Sequence, residues 1–248
     1  MKISTSPDKV YEIDNERKAL MRLSSSPHVI QLLENPPVID TKCNTSFAME
    51  YAPHGDLFDY VRDKKFDETL ARTYFRQLIQ GLKSCHEVGV FHRDIKLENL
   101  LLDWKFDLKL ADFGASYLLT EDVLITGQEP LISGVCGTLG FQAIEINSSS
   151  SMYLGSAVDI WSAGCTLFSM LTASHAFSLY SNKEKWRDPQ LSMIKEGDFD
   201  GFWQFHFGSP SSMKLKPIPR LAMGKIFIYR FIKNELKFKN IYFISRLF

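Results

Sequence analysis

The chain has 248 residues, 45% hydrophobic and 23% charged, enough apolar material for one large domain or two lobes around a core. Lysine plus arginine and aspartate plus glutamate stand at 29 each, so net charge points to neither nucleic acid nor an anionic membrane as a partner. The four cysteines (Cys43, Cys85, Cys136, Cys165) form no CxxC pair, which speaks against zinc, a redox motif or a disulfide framework, and a reducing, cytoplasmic setting is the expectation.

The start, Met1-Lys2-Ile3-Ser4-Thr5, lacks the apolar core of a signal peptide. Asp14-Asn15 are candidate helix caps, and Glu16, Leu20 and Leu23 then recur at i, i+4, i+7 on one helical face. Residues 29–33 and 46–51 read as strands flanking a Pro/Asn loop, and His54-Gly55-Asp56 reads as a turn. From Asp67 an amphipathic helix runs to about His86, with Ala71, Phe75, Leu78, Leu82 and Cys85 on one stripe. Residues 100–102 and 108–110 suggest a small hairpin. Residues 115–142 are polar and show no clear period. Residues 157–173 predict an enclosed helix with one buried acid, Asp159, near its start. The uncharged run 160–182 is long enough to span a bilayer, but its Ser, Thr, His and Asn favour a buried helix followed by a loop. Beyond 208 the composition shifts, and residues 224–248 are nearly all Ile, Phe, Tyr, Lys, Asn and Arg.

The chemistry concentrates in His92-Arg93-Asp94-Ile95-Lys96-Leu97-Glu98-Asn99, a polar run between the apolar walls Val90-Phe91 and Leu100-Leu101-Leu102. Asp94 and Asn99 project an acid and an amide into one space. Phosphoryl transfer needs that pair: the acid orients and deprotonates the attacking hydroxyl, and the amide oxygen holds a metal. Lys96 is placed to neutralise charge on the moving phosphoryl group. Asp112 precedes Phe113-Gly114, where the glycine permits a sharp turn, and offers a second metal-binding carboxylate. Asp-Phe-Gly alone is a weak signal. The two motifs in this order and spacing make stray surface charges a poor explanation.

With its motifs HRDIKLEN, ADFG, GTLGFQAIE (137–145) and DIWSAG (159–164), the sequence resembles eukaryotic protein kinases over roughly residues 1–205, and among them the calmodulin-dependent and AMP-activated group. The resemblance implies a protein-kinase-like α+β fold, with a partial small β lobe (1–53) and a mainly helical large lobe (54–208). It leaves a divergent tail (209–248). A lysine two residues after the catalytic acid is the serine/threonine pattern. The family implies Asp94 as catalytic base, Lys96 on the γ-phosphate, and Asn99 and Asp112 on Mg2+. It implies Glu16 as the glutamate of the regulatory helix, although taken alone the residue reads better as a solvated helix charge. Met49 would be the gatekeeper, the backbone of Glu50 and Ala52 would meet adenine, and Leu101 would lie beneath the ring. Asp56 would bind ribose, with a plain turn aspartate as the other reading. Leu20, Leu32, His92 and Phe113 would stack into an apolar spine, with plain core packing as an equally good local reading, and Asp159 would hold the catalytic loop from below. Arg93 would await an anion, and of Thr120, Thr126, Ser133 and Thr138 the favoured phosphorylation sites are Ser133 and Thr126. Thr138 matches the family's substrate-positioning threonine.

Several positions depart from the family. No GxGxxG precedes Glu16. Lys2 is either the ATP-phosphate lysine, with translation starting inside its strand, or an ordinary N-terminal lysine. Ala143-Ile144-Glu145 and Phe141 replace the usual Ala-Pro-Glu and tyrosine, and an arginine partner for Glu145 is not recognisable, with Arg220 as a stand-in without a spacing argument. Residues 209–248 read either as a basic amphipathic helix on a membrane or as the product of a shifted reading frame; the second is preferred, so membrane contact is not expected. The functional expectation is a monomeric protein serine/threonine kinase using ATP and Mg2+ on a protein substrate. The alternative is an impaired kinase fragment or pseudokinase serving as a binding module.

Overall fold

The computed structural model describes residues 2–3, 7–33, 46–63, 66–147, 152–177 and 188–208. Residues 209–248 with Arg220, residues 34–45 with Cys43, and the side chain of Lys2 lie outside the described residues.

Helix α1 spans Pro7–Arg22, opened by a proline whose fixed φ suits a first helical turn. Asp14 and Asn15 are therefore interior residues, and the capping expectation is corrected. The inward stripe begins at Ile13 and continues through Glu16, Leu20 and Leu23, all at most 3% exposed, so the helix must start upstream of Asp14. Asp14 is accommodated by Arg17 at 3.1 Å and Lys18 at 2.6 Å on the same face. Strand β1 (Lys2–Ile3) pairs antiparallel with β2 (Ser46–Phe47), Lys2 opposite Phe47. Residues 31–33 and 48–50 extend this pairing region: Leu33 N donates to Ala48 O at 2.9 Å, and Glu50 N to Gln31 O at 2.8 Å. The two predicted strands thus meet each other.

Helix α2 (Leu57–Arg62) is capped by Asp56, and α3 (Glu68–Glu87) by Asp67, which accepts Leu70 N at 2.8 Å. The predicted stripe of α3, Ala71, Phe75, Leu78, Leu82 and Cys85, is fully buried. Strand β3 (Val90–Phe91) leads through a 3₁₀ turn (Leu97–Asn99) into the hairpin β4 (Leu100–Leu102) and β5 (Leu108–Leu110), and β6 (Tyr117–Leu118) returns to pair with β3. Helix α4 (Glu121–Thr126) and β7 (Leu131–Ile132) follow, and β7 pairs with β8 (Tyr153–Leu154). The 115–142 segment is therefore structured where its sequence shows no period. Its strands are two residues long with partners distant in sequence, and α4 buries none of its residues, so no local alternation could form.

Helix α5 (Gly155–Thr172) is the enclosed axis of the large lobe and packs on α3, with α6 (Pro189–Glu196) and α7 (Phe199–Phe207) beyond it. Among the described residues no helix is long and apolar enough to cross a membrane. The segment after α1 joins the β4–β5 hairpin, where Ile30 N donates to Leu110 O at 3.0 Å and Leu110 N to His28 O at 2.9 Å. One apolar cluster runs through this junction, from Leu20 and Leu23 to Phe75 and Phe168.

Candidate active site

The site is built on a carboxylate buried under it. Asp159, fully buried near the start of α5, accepts His92 N at 2.9 Å and Arg93 N at 2.6 Å, one on each oxygen. His86 Nε2 of α3 lies 2.8 Å from Oδ2. Three donors satisfy an acid that would be costly to bury alone. They also hold Arg93 at φ 65, a left-handed conformation worth roughly 1–3 kcal/mol of strain for a side-chain-bearing residue. His92 Nε2 bonds Ala111 O at 3.0 Å, and its Nδ1 accepts Asp94 N at 3.2 Å, which together require the tautomer protonated on Nε2.

That bent backbone turns Asp94 into a polar triangle. Thr138 donates its hydroxyl to Asp94 Oδ1 at 2.8 Å, and Lys96 Nζ lies 2.9 Å from Oδ2 and 2.7 Å from the Thr138 hydroxyl. Asn99 Nδ2 donates to Asp94 O at 2.8 Å, which reserves its Oδ1 for another partner. Asn99 O also accepts Ala111 N at 2.9 Å, so the β4–β5 ladder brings Asn99 beside the strand end that carries Asp112. Asp112 sits at φ 63 with an exposed side chain, next to the fully buried Phe113. One amide and one carboxylate oxygen make a hard donor set suited to Mg2+ completed by waters and phosphate oxygens.

Above this floor, Glu16 is 1% exposed, and its Oε1 accepts Phe113 N at 3.2 Å, so it is a built-in group rather than a solvated helix charge. Phe113 and His92 meet edge to face at 4.7 Å, with Leu20 buried in the same core and Leu32 packed on it. The backbone of Lys2 lies in β1, beside the strand that leads to Met49. Met49 pairs with Leu32, and Leu101 with Asp56, across isolated bridges. Met49, Ala52 and Leu101 are half-buried against the core. Asp56 uses Oδ1 to accept Asp59 N at 3.2 Å, which accounts for it as a cap. The side chain of Glu50 accepts Gln31 N at 2.9 Å and pairs with Lys109 at 3.1 Å.

The candidate regulatory residues divide. Arg93 donates Nε to Ala115 O at 2.9 Å, approaches the Tyr153 hydroxyl at 3.4 Å, and lies over the Tyr117 ring at 5.7 Å. Ser133 is exposed and adjoins Gly134, where a Cβ would stand 4.0 Å from Arg93 Nη1. Thr126 is exposed at the end of α4 and donates to Val123 O at 2.7 Å. Thr138 belongs to the Asp94 triangle. Three residues escaped sequence reasoning. Tyr153 donates to Gly134 O at 2.5 Å, and burial pushes its phenol up to about 12. Gly137 (φ +85) lies so close to Arg93 O that a Cβ there would approach to 2.5 Å. Lys109 braces Glu50. Only Gly137 left a signal, as a glycine inside a recognised motif.

A model of the family described as "Protein kinase domain" matches residues 2–217, reaching a short way into the 209–248 segment. CBL-interacting serine/threonine-protein kinase 20 of Arabidopsis thaliana is 39% identical over 193 residues, 77% of this chain and 41% of the relative. CBL-interacting protein kinase 28 of Oryza sativa subsp. japonica is 45% identical over 150 residues, 60% and 33% respectively. Serine/threonine protein kinase OSK3 of Oryza sativa subsp. indica is 39% identical over 159 residues, 64% and 29%. The chain thus spans less than half the length of these relatives. A catalytic loop held by Asp159, an ordered Asp-Phe-Gly turn and a match over most of the sequence agree, and the chain belongs to the protein kinase family.

Proposed function

We infer that this chain transfers the γ-phosphate of ATP to a serine or threonine hydroxyl of a protein. The observation that carries the reading is the Asp94–Thr138–Lys96 triangle, with Asn99 fixed beside it. An acceptor hydroxyl arriving at Asp94 gives up its proton to the carboxylate as its oxygen attacks the γ-phosphorus, the bond from that phosphorus to the β–γ bridging oxygen breaks to release ADP, and Lys96 offsets charge on the phosphoryl oxygens. Thr138 keeps Asp94 aimed and forms one wall of the acceptor's approach. Asn99 and Asp112 would hold Mg2+, which would supply positive charge to offset that of the nucleotide phosphates.

The nucleotide would enter between the lobes, with Met49 as gatekeeper, the backbone of Glu50 and Ala52 on adenine, Leu101 below and Asp56 toward ribose. Lys2, by its strand position, and Glu16 would serve the phosphate side. The protein acts as a cytoplasmic monomer in this reading. Regulation by phosphorylation points to Ser133 ahead of Thr126, because Ser133 adjoins Gly134, where a Cβ would stand 4.0 Å from Arg93 Nη1. Phosphatase treatment with intact mass and activity tests it, and unchanged activity after loss of phosphate refutes it.

The central experiment measures Mg2+-ATP affinity and phosphotransfer for this chain and for Asp94→Ala. Transfer lost in the variant supports the enzyme. Absence of ATP binding in both favours the alternative, a kinase-like binding module.

A further inference from the structure

Asn15 occupies an unfavourable position. Asparagine is a weak helix former because its amide competes for backbone groups, and here it lies well inside α1. Its side chain crosses to the turn that follows Asp112. Nδ2 donates to Ser116 O at 2.8 Å and Ser116 Oγ at 3.1 Å, and lies 3.2 Å from Gly114 O and 3.4 Å from Phe113 O. Every partner is an oxygen, three of them backbone carbonyls, so the amide must present its NH2 here. A side-chain oxygen would face three like dipoles.

The neighbouring residue completes a grip. Glu16 Oε1 takes the N–H of Phe113, while Asn15 serves the carbonyls of the same turn. Gly114 lies alongside the helix, where a Cβ would stand at ordinary contact distance, 3.5 Å, from Glu12 Cβ. Further along α1, Arg22 Nη1 donates to Leu119 O at 2.6 Å. The turn held this way carries the strained Asp112 at φ 63 and closes through Ser116 N to Phe113 O at 3.0 Å. Converging carbonyls repel one another unless a donor sits among them, and Asn15 is the donor the structure supplies.

We propose that Asn15 is a positioning residue for the metal step. It fixes the backbone of residues 113–116 and so sets the direction in which Asp112 presents its carboxylate. The proposal rests on the kinase reading, since it concerns that reading's metal site.

The test uses the full chain with Asn15→Asp, which keeps the shape and removes the donor, and Asn15→Ala, which favours the helix and removes the whole group. Two readouts are taken: hydrogen exchange of the amides at 115–119, and ADP affinity with Mg2+ against ADP affinity in EDTA. Losing a charge-free donor of this kind should speed exchange at Ser116 and lower the Mg2+-dependent gain in affinity, each on the order of tenfold. Affinity in EDTA and exchange in α3 and α5 should stay at wild-type values. Wild-type exchange at 115–119 in both variants overturns the proposal, as does a retained Mg2+-dependent gain despite faster exchange. A wild-type chain showing no Mg2+-dependent gain refutes the kinase reading instead, and exchange at 115–119 then decides the role of Asn15 by itself.

Discussion

Thr138 donates its hydroxyl to Asp94 at 2.8 Å across 44 residues of sequence, so the segment after the Asp-Phe-Gly turn reaches back to aim the proposed catalytic base. The same hydroxyl accepts Lys96 Nζ, which makes Thr138 the joint between base and cation. Thr138→Ala should lower kcat/KM for peptide phosphorylation by about tenfold, the worth of one well-placed hydrogen bond to a charged group. Thr138→Ser keeps the hydroxyl and should stay near wild type. Equal losses in both variants would show that the methyl group, and not the hydroxyl, matters.

Asp159 should matter first for folding. Its carboxylate is fully buried and serves His92 N, Arg93 N and His86. Asp159→Ala leaves two amides and an imidazole without an acceptor in an apolar setting, at a cost of about 3–5 kcal/mol. Asp159→Asn keeps one acceptor oxygen and should recover part of that. Urea midpoints at constant slope measure both.

Gly137 tests the geometry of the same loop from its other side. At φ +85, with Arg93 O in the path of any Cβ, Gly137→Ala forces the backbone of Arg93 or of Gly137 itself to move. Phosphotransfer should fall by at least the tenfold expected for Thr138→Ala, because the shift reaches Asp94 directly. Gly127 also has positive φ but faces open space, so Gly127→Ala should leave activity intact.

These residues also show what the sequence could disclose. His92 to Asn99 is contiguous, and its chemistry could be read because one loop carries acid, cation and amide together. The stripe of α3 was equally plain, since an amphipathic helix records its burial in its own period. Asn15, Tyr153 and Lys109 were hidden for the opposite reason. Their partners lie 98 to 101, 19 and 59 positions away, and no local pattern encodes those pairings. The start of α1 was misplaced because Asp14-Asn15 has the chemistry of a cap, while the stripe beginning at Ile13 decides where the helix must begin.

Tyr153 bridges Gly134 and Arg93 from a buried position, and burial holds its phenol near 12. A phenol raised above its unfolded value of 10.0 contributes stability that is complete below about pH 10 and is lost as pH climbs toward 12. Burial also raises the Tyr74 phenol, so titration of phenolate absorbance should show a late-ionising component that loses its last-titrating part in Tyr153→Phe. That variant should also lose about 1 kcal/mol of stability and expose the segment around Gly134 to limited proteolysis. Unchanged proteolysis would argue that the β7–β8 pairing alone holds the segment.

His206 predicts the opposite pH limit. Its ring packs on Phe168 at 4.8 Å and Phe202 at 4.7 Å, with Nε2 3.1 Å from Ala176 O. Burial lowers its pKa, partly offset by the Ala176 carbonyl and by Asp188. A base with a depressed folded-state pKa contributes stability that is present above its unfolded value of 6.5 and lost as pH falls through the folded value. Acidification below about pH 6.5 should therefore loosen α7 from α5 before the large lobe melts, seen as a loss of near-ultraviolet aromatic dichroism with helix content retained. His206→Phe removes the titrating group while keeping an aromatic ring, and should abolish that early acid transition. A transition that persists unchanged in His206→Phe would assign the acid sensitivity to another group.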